Sequence, residues 1–318
     1  MCKTTVVIPN YNGNKFLKNC LDSVTGSDVS ASVIVVDNAS ADGSKQIAKQ
    51  YGDQVKLICF SENRGFSAAV NAGIKAADTP YVFLLNNDVT VEPDCIRHLE
   101  QALEADSRLF SVGAKMLSMY EPEKVDSMGD LYSALGWGYA IGKDKDGSRY
   151  QKTISVFSNC AGAALYRKQY LEETGLFDEL HFAYLEDVDL GYRARILGYK
   201  NQVEPKAVIY HAGSGSSGSR YNSFKIPLSA QNNIYLIYKN MPFLQLILNL
   251  PLLLAGFAVK QLFFIKKGFG KEYAEGLYRG LKLCLGEGKH NRVPFAWKNL
   301  KNYCRIQLEL WINLFRRF

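Results

Sequence analysis

The sequence has little of what marks disulfide-stabilised or zinc-binding proteins. Its seven cysteines are an odd and scattered set, and no two of them form a CxxC pair. Such a set is typical of reduced thiols, and it argues against both a disulfide framework and a cysteine-based zinc site. The first apolar run ends at Pro9 and is too short for the core of a signal peptide. We therefore expect a protein that folds in the cytoplasm.

Two nucleotide-binding patterns are also missing. The segment PNYNGN, which follows the first predicted strand, lacks the GxGxxG fingerprint of Rossmann dehydrogenases. A nucleotidyltransferase should carry a glycine-rich basic loop near its N-terminus, and the sequence has none there. Both absences count against these classes of enzyme.

Positive charge is concentrated towards the C-terminus. Residues 260–318 hold 13 Lys and Arg against 4 Asp and Glu, whereas the remaining 259 residues hold 25 against 27. A basic tail can face nucleic acid, an anionic membrane or only water. Because this tail follows an apolar stretch, we expect an anionic membrane surface as its partner and no nucleic acid.

The apolar stretch itself, residues 243–265, allows several interpretations. A membrane span needs about 20 mostly apolar residues, so the length suffices. However, Lys260 and Gln261 lie inside the stretch, and Pro251 is expected to break it. A helix lying in the membrane interface, a re-entrant pair of helices and a buried helix of a small C-terminal bundle remain open. We predict a catalytic domain over residues 1–225 and a helical, basic, membrane-associated region over residues 226–318.

Strand-like and helix-like segments alternate over the first ninety or so residues. The strand-like runs are TTVVIP, VIVVD, VKLICF and YVFLL. This alternation predicts an α/β fold with a mostly parallel central sheet flanked by helices. Ligands bind beyond the carboxyl ends of the strands in such sheets, which is where PNYNG, VDNAS and NNDV fall. The composition of residues 111–160 predicts an insert of strands and loops. The segment CAGAALYRKQYLEETG is predicted to form a turn followed by a helix.

Three side chains at predicted strand ends are candidates for ligand binding. Asp37 can hydrogen-bond a nucleobase or ribose, or it can simply form a turn. Asp88 follows the apolar run YVFLL and is placed to hold a divalent cation, although a turn is again an alternative. His211 ends the last predicted strand and is one of only four histidines. It can serve as a metal ligand or be an ordinary histidine.

The stretch LEDVDLGYRAR places three acids at the start of a predicted helix: Glu186, Asp187 and Asp189. The helix dipole favours acids in this position, which suits Glu186. Asp189 stands four residues before Arg193 and can pair with it.

Asp187 is less easily explained. At about 100° per residue it shares a stripe with Leu190, Ala194 and Leu197, which should face the domain. A carboxylate on an inward face must be paired or functional. A single positioned carboxylate is what a general base requires.

Together these motifs resemble those of inverting family 2 glycosyltransferases with the nucleotide-diphosphosugar transferase (GT-A) fold. The nearest branch is the rhamnosyltransferase-like one, which builds cell-surface polysaccharides. The resembling segments stand in the family's order: VVIPNYNG, VIVVDNASADGS, ENRGFSAAVNAGI, YVFLLNNDV, CAGAALYRK, LFDELHFAYLEDVDLGYRARILGY and IYHAGSGS. Each is weak alone, but seven in order are specific.

The resemblance implies where a nucleotide-sugar donor binds. Pro9, Tyr11 and Asp37 would line its base and ribose. Asn63 and Arg64 would lie against the nucleotide side.

The resemblance also implies a metal site and a base. Asp88 would coordinate a divalent metal, Mg²⁺ or Mn²⁺, that bridges the diphosphate, and His211 would be a further ligand. Asn86 stands where the family's Asp-x-Asp motif has its first acid, and it would contribute a weaker, neutral oxygen. Asp187 would be the catalytic base.

The implied reaction moves a sugar from dTDP-rhamnose or a UDP-hexose to a glycan or glycolipid acceptor at the cytoplasmic face of the membrane. The glycine- and serine-rich loop 212–220 would close over the donor. A sugar-nucleotide-binding protein without transferase activity and a nucleotidyltransferase are the alternative functions.

Overall fold

The structure is a computed structural model, and it describes residues 2–213 and 221–316. The strands in these ranges are β1 (Thr4–Asn10), β2 (Ser32–Asp37), β3 (Val55–Cys59), β4 (Tyr81–Leu85), β5 (Val89–Val91), β6 (Leu109–Ser118), β7 (Val125–Ser127), β8 (Asp130–Tyr132), β9 (Gly138–Ala140), β10 (Ile154–Val156), β11 (Ala163–Arg167) and β12 (Lys200–His211). The α-helices are α1 (Leu17–Thr25), α2 (Ser44–Lys49), α3 (Gly65–Ala76), α4 (Cys95–Ala105), α5 (Lys168–Thr174), α6 (Glu186–Ile196), α7 (Lys225–Asn240), α8 (Phe243–Lys266), α9 (Gly270–Leu285) and α10 (Leu300–Ile312).

One large sheet forms the centre of the molecule, with the strand order β10-β12-β6-β11-β4-β1-β2-β3. Strands β3, β2, β1 and β4 are parallel to one another. Strand β11 then runs antiparallel between β4 and β6, and β12 is parallel to β6. The α/β fold class is confirmed. The segment CAGAALYR differs from its prediction as a turn, because its small residues form the buried strand β11.

Alternating apolar residues of the parallel strands build two cores, one on each face of the sheet. Ile8 and Val35 pack with α1 and α4 on one face. Val7 and Val36 pack with α3 on the other. Successive residues of a strand point to opposite faces, so these uninterrupted apolar runs require helices on both sides. This arrangement fixes the carboxyl ends of the strands at one edge, where Asn10 lies beside Asp37 in the parallel register.

The C-terminal helices pack directly on the rest of the chain. The predicted boundary at residues 225/226 falls at the start of α7, and α7 and α10 share a buried apolar cluster with Tyr192 and Ile196 of α6. Among the described helices, α8 alone is long and apolar enough to cross a membrane. Pro251, which was expected to break this segment, lies inside the continuous helix. Without an N–H group, Pro251 cannot donate the helical hydrogen bond to the carbonyl four residues earlier, but the helix continues on both sides of it.

Candidate active site

Asn10, the last residue of β1, joins the loops that follow three strands. Its side-chain nitrogen donates to Oδ1 of Asp37 at 3.1 Å and to Oγ of Ser44 at 2.8 Å. Its side-chain oxygen accepts from Nδ2 of Asn87 at 2.8 Å. A Cβ atom at Gly13 would lie 2.2 Å from that Nδ2, so a larger residue would disrupt the junction. Sequence reasoning singled out neither Asn10 nor Asn87, because amides at strand ends are common in turns.

Asp37 is completely buried at this edge. Its Oδ2 accepts from the backbone N–H of Ser40 at 3.1 Å and lies 3.5 Å from Nζ of Lys45. The carboxylate therefore holds the loop after β2, which is the turn-forming role that the sequence had left open. Pro9 is half-buried next to this loop and Tyr11 is 44% exposed.

Asn38 connects this loop with the next predicted binding segment. Its Nδ2 donates to Oδ1 of Asn63 at 2.8 Å, and its Oδ1 accepts from the backbone N–H of Arg64 at 2.8 Å. The guanidinium of Arg64 lies 4.9 Å from the centre of the Phe60 ring and 3.3 Å from Oε2 of Glu179. Asn63 and Arg64 are thus exposed at the edge of the sheet where Asp37 ends β2.

Asp88 and His211 lie side by side because β5 pairs with β12. Oδ1 of Asp88 is 3.4 Å from Nε2 of His211, while Nδ1 of His211 is 2.9 Å from Oδ2 of Asp126. Burial alone would lower the pKa of His211, but its hydrogen bonds to Asp126 and Asp88 raise that pKa to about 9. Asp126 was missed in the sequence, since only the pairing of β7 with β6 brings it to the histidine.

The donor types here fit a divalent cation. A carboxylate oxygen and an imidazole nitrogen converge at Asp88 and His211, and both bind Mn²⁺ or related metals. Asn86 is half-buried, and its backbone N–H donates to the carbonyl of Gly162 at 2.9 Å. Within the described ranges, no three His, Cys, Asp or Glu side chains converge to hold a metal alone.

Asp187 occupies the first turn of α6, where the sequence predicted it. It is half-buried, and Oδ1 accepts from the backbone N–H of Val188 at 2.8 Å. Burial raises the pKa of Asp187 to about 6, against the opposing effect of hydrogen bonds from the backbone N–H groups of Val188 and Ala161. Asp187 is therefore a fixed, partly accessible carboxylate whose pKa approaches neutrality, as a general base requires.

Two further acids surround Asp187. Glu186 is buried, and its Oε2 has no hydrogen-bond partner among the described residues. Burial and the charge of Asp187 raise the pKa of Glu186 well above its usual range. Glu186 begins the helix as predicted, but it is enclosed rather than solvated. Asp130 of β8 is the second acid, and burial and the charge of Asp187 raise its pKa in the same way.

The packing of α6 explains how Asp130 comes so near. The backbone of Asp130 pairs with Ser158, with N–O distances of 2.9 and 3.2 Å. Gly191 of α6 presses on Ser158, where a Cβ atom would lie 2.5 Å from the serine Cβ. The close approach of helix and strand brings together three carboxyls, of which Glu186 is buried and Asp130 and Asp187 are half-buried.

Asp189 has a structural role. Oδ2 of Asp189 accepts from Arg193 at 2.8 Å, as predicted, and also from Nζ of Lys239 at 2.9 Å. Nδ2 of Asn240 donates to its Oδ1 at 2.7 Å. Burial alone would raise the pKa of Asp189, but the charges of Arg193 and Lys239 lower it well below its usual range. The predicted stripe of α6 is partly wrong, because Leu197 follows the end of the helix and is 42% exposed.

The backbone just before α6 is strained. The φ angles of three residues are positive: 56° at Phe182, 73° at Tyr184 and 67° at Leu185. Residues other than glycine rarely adopt such angles. Such conformations persist only where the surroundings hold them, and they are often found at functional sites. The strained loop ends directly at the candidate base.

Asn232 of α7 holds this loop. Its Nδ2 lies 2.6 Å from the carbonyl oxygen of His181 and 2.8 Å from those of Ala183 and Tyr184. From the other side, the first turn of α3 donates a backbone hydrogen bond of 2.6 Å to the carbonyl of Phe182. The sequence gave no signal for Asn232, which stands about fifty residues away in the C-terminal region. Most of the predicted closing loop, residues 214–220, lies outside the described residues.

The family follows from a comparison with known sequences. Residues 5–175 match the family described as Glycosyl transferase family 2. The chain belongs to this family. It is 28% identical over 242 residues to the N-acetylglucosaminyl-diphospho-decaprenol L-rhamnosyltransferase of Mycobacterium tuberculosis H37Rv, covering 67% of this chain and 77% of that one.

Two further likenesses agree. The chain is 27% identical over 219 residues to the rhamnosyltransferase WbbL of Escherichia coli K12, covering 65% of this chain and 81% of WbbL. The solved structure of the mannosyltransferase PcManGT from Pyrobaculum calidifontis matches with a TM-score of 0.54 at 19% identity, covering 97% of this chain and 84% of that one. The GT-A fold and the likeness to rhamnosyltransferases, both predicted, are confirmed.

Proposed function

We propose that this family 2 glycosyltransferase inverts the sugar that it transfers. Its donor is a nucleotide-diphosphate sugar, dTDP-rhamnose or a UDP-hexose. The acceptor is a hydroxyl of a lipid-linked glycan in the biosynthesis of a cell-surface polysaccharide. The observation that carries the proposal is Asp187, a half-buried carboxylate held by hydrogen bonds and with its pKa raised to about 6.

The proposed chemistry needs one base. The acceptor oxygen bonds to the anomeric carbon while the bond from that carbon to the diphosphate breaks on the opposite face. Asp187 takes the proton of the acceptor hydroxyl. The diphosphate leaves without protonation, whereas hydrolysis by a glycosidase uses two carboxyl groups. Of the acids around Asp187, the buried Glu186 and the half-buried Asp130 have pKa values raised well above their usual range by burial and by the charge of Asp187, which disfavours either of them as the base.

Asp88 and His211 would hold the divalent metal, and the amide of Asn86 would lie close by. A bound metal would supply positive charge that stabilises the leaving diphosphate. PcManGT, which shares the fold, was solved with GDP-Man and Mn²⁺. Since few protein ligands converge here, oxygens of the donor and water would complete the coordination, as is usual for Mg²⁺ at phosphates.

The acceptor and location rest on the C-terminal region. Residues 226–318 combine a long apolar helix with a basic surface, which suits association with the cytoplasmic face of a membrane. The mycobacterial relative is named for a diphospho-decaprenol acceptor, a lipid-linked substrate.

A donor screen tests the function. The purified protein is mixed with UDP-, dTDP- and GDP-sugars with Mn²⁺ or Mg²⁺, and thermal stabilisation and donor hydrolysis are measured. We expect one donor to stabilise the protein and to be hydrolysed slowly. Stabilisation without turnover, also in the presence of lipid-linked acceptors, would favour a binding protein. Release of pyrophosphate from a nucleoside triphosphate and a sugar 1-phosphate would indicate a nucleotidyltransferase.

A further inference from the structure

Helix α8 has an unusual distribution of polar and apolar residues. The stripe that it buries against the protein contains Gln245, Asn249, Leu253 and Gly256. The residues that it exposes are large and apolar: Phe243, Leu244, Ile247, Leu248, Leu250, Leu254, Val259, Leu262, Phe263 and Ile265. A surface helix of a water-soluble protein shows the reverse pattern. The outer face of α8 is therefore built for an apolar surrounding.

The buried polar stripe is hydrogen-bonded to two other helices. Oε1 of Gln245 accepts from the hydroxyl of Tyr192, on the same helix as Asp187, at 2.5 Å. Asn249 and Gln307 of α10 form a reciprocal amide pair with both N–O distances at 2.8 Å, and Nε1 of Trp311 donates to Asn249 at 3.2 Å.

Further contacts attach the C-terminal half of α8 to the rest of the protein. Gly256 lies so close to the backbone that a Cβ atom would come within 2.1 Å of the carbonyl oxygen of Leu135. Nε1 of Trp137 donates to the carbonyl of Gly256 at 3.1 Å. Near the end of α8, Gln261 donates to the carbonyl of Gly270 at 3.0 Å. From Gln245 to Gln261 the helix is fastened side-on over about 24 Å, at a rise of roughly 1.5 Å per residue.

A spanning orientation conflicts with these contacts. The hydrocarbon core is about 30 Å thick, so an α8 that crossed it would carry Tyr192, Leu135 and α10 into lipid or would break every bond described above. Buried amides that lose their hydrogen-bond partners inside lipid are strongly destabilising.

We propose that α8 lies in the plane of the membrane surface, with its outer face in the lipid and its polar stripe on the catalytic domain. The inference rests on the membrane association proposed above, but it does not depend on the transfer reaction. Three more exposed apolar residues would extend the embedded surface beside Trp311: Leu308 and Ile312 of α10, and Phe315 just after this helix.

The occupant of this surface is a bilayer with anionic headgroups. Lys266 and Lys267 end α8 and are exposed, and Lys271 follows on α9. Basic residues beside an apolar face are the pattern of helices that lie in the interface of anionic membranes. A second copy of the chain would not explain this positive rim, since the same charges would meet each other across a dimer.

Depth measurements on the full-length protein distinguish the orientations. Leu244→Cys, Leu254→Cys and Leu262→Cys, each in a Cys59→Ser, Cys304→Ser background, are spin-labelled in vesicles containing phosphatidylglycerol. Power saturation with oxygen and a nickel chelate then gives the depth of each label. In-plane α8 places all three at one shallow depth. If the label at residue 254 lies much deeper than the other two, α8 crosses the membrane. If all three labels lie in water, α8 does not contact the membrane. Either result overturns the proposal.

A matched pair of variants tests the surface itself. Leu254→Glu should weaken binding to anionic vesicles by about tenfold or more, because a carboxylate enters the lipid. Leu197→Glu replaces a comparably exposed leucine of the catalytic domain and should bind normally. Vesicle binding unchanged by Leu254→Glu, or a loss of dimers instead, contradicts the proposal. Transfer to a water-soluble acceptor should persist in Leu254→Glu, which separates this inference from the proposed reaction.

Discussion

Nδ2 of Asn232 lies 2.8 Å from the carbonyl oxygen of Tyr184, which links helix α7 to the loop that leads into the candidate base. Tyr184 has a positive φ angle, so this carbonyl points where a relaxed backbone would not place it. The bond therefore helps to hold Asp187 in position from a part of the chain that carries no chemistry of its own.

We predict that Asn232→Ala lowers kcat by roughly a hundredfold, because a small displacement of a catalytic group is costly. KM for the donor should change less than kcat, since Asn232 does not itself bond any residue proposed to bind the nucleotide. Steady-state kinetics with the variant and with Gln231→Ala, a half-buried neighbour on α7, check this. Equal kcat values in both variants and in the parent would mean that the loop keeps its shape without the amide.

Asp187→Asn should abolish transfer while donor binding persists. General-base catalysis contributes about 10²–10⁴ in rate, so a loss of that order is expected. Calorimetry of donor binding and a transfer assay separate the two effects, and Asp53→Asn on the surface serves as control. Normal turnover in Asp187→Asn would remove this residue as the base.

The pH dependence should show the raised pKa of Asp187. The base acts only when ionised, so kcat/KM should fall as the pH decreases below about 6, the value to which burial raises this pKa. Asp130→Asn should leave the acid limb of the profile in place, because burial and hydrogen bonds from backbone N–H groups set the pKa of Asp187. A profile that stays flat between pH 5 and 8 in the parent enzyme would contradict the assignment.

Asp126→Asn should weaken metal binding. Asp126 fixes the ring of His211 through Nδ1, and partners of this kind typically change metal affinity by about 10–100-fold. The measurement is electron paramagnetic resonance of free Mn²⁺ during titration, with Asp144→Asn as a control on the exposed surface. Identical affinity in both variants would show that His211 is not a ligand or needs no support.

The charges around Asp189 should matter for stability rather than for rate. Asp189→Asn leaves the buried Arg193 without its carboxylate partner and Lys239 with Asp178 alone, and breaking a buried ion pair typically costs about 3–5 kcal/mol. Urea denaturation at pH 7 measures the loss. The pKa of Asp189 is lowered in the folded state, so its contribution is present above the unfolded pKa of about 3.9 and disappears as the pH falls below it. The difference in the free energy of unfolding between the parent protein and Asp189→Asn should therefore become smaller at acidic pH.

The fold could be predicted from the sequence because the segments that form strands are apolar and regularly spaced. VVIP and YVFLL favour buried strands, and their ends mark the edge of the sheet where the candidate site lies. Strand β11 could not be predicted from the sequence, because Gly162 and the three alanines around it have no preference for strands. Its position is decided by the edges of β4 and β6, which it joins.

Some acids of the candidate site could be predicted from the sequence, whereas the residues that hold them in place could not. Helix geometry singled out Asp187, because an unpaired inward acid is conspicuous. Asn10, Asp126 and Asn232 are ordinary polar residues in sequence, and only contacts across many residues give them a role. Glu186 looked like a solvated helix start, and only the packing around it shows that it is enclosed.

The contacts of the Asn232 amide with three carbonyl oxygens bear on the order in which parts of the chain fold during synthesis. The loop that they hold precedes Asn232 by 48 to 51 residues. A nascent chain that has exposed only the sheet therefore lacks the amide that holds the loop before the candidate base, and this loop can take its final shape only after α7 has left the ribosome. Helix α8 follows immediately afterwards in the chain.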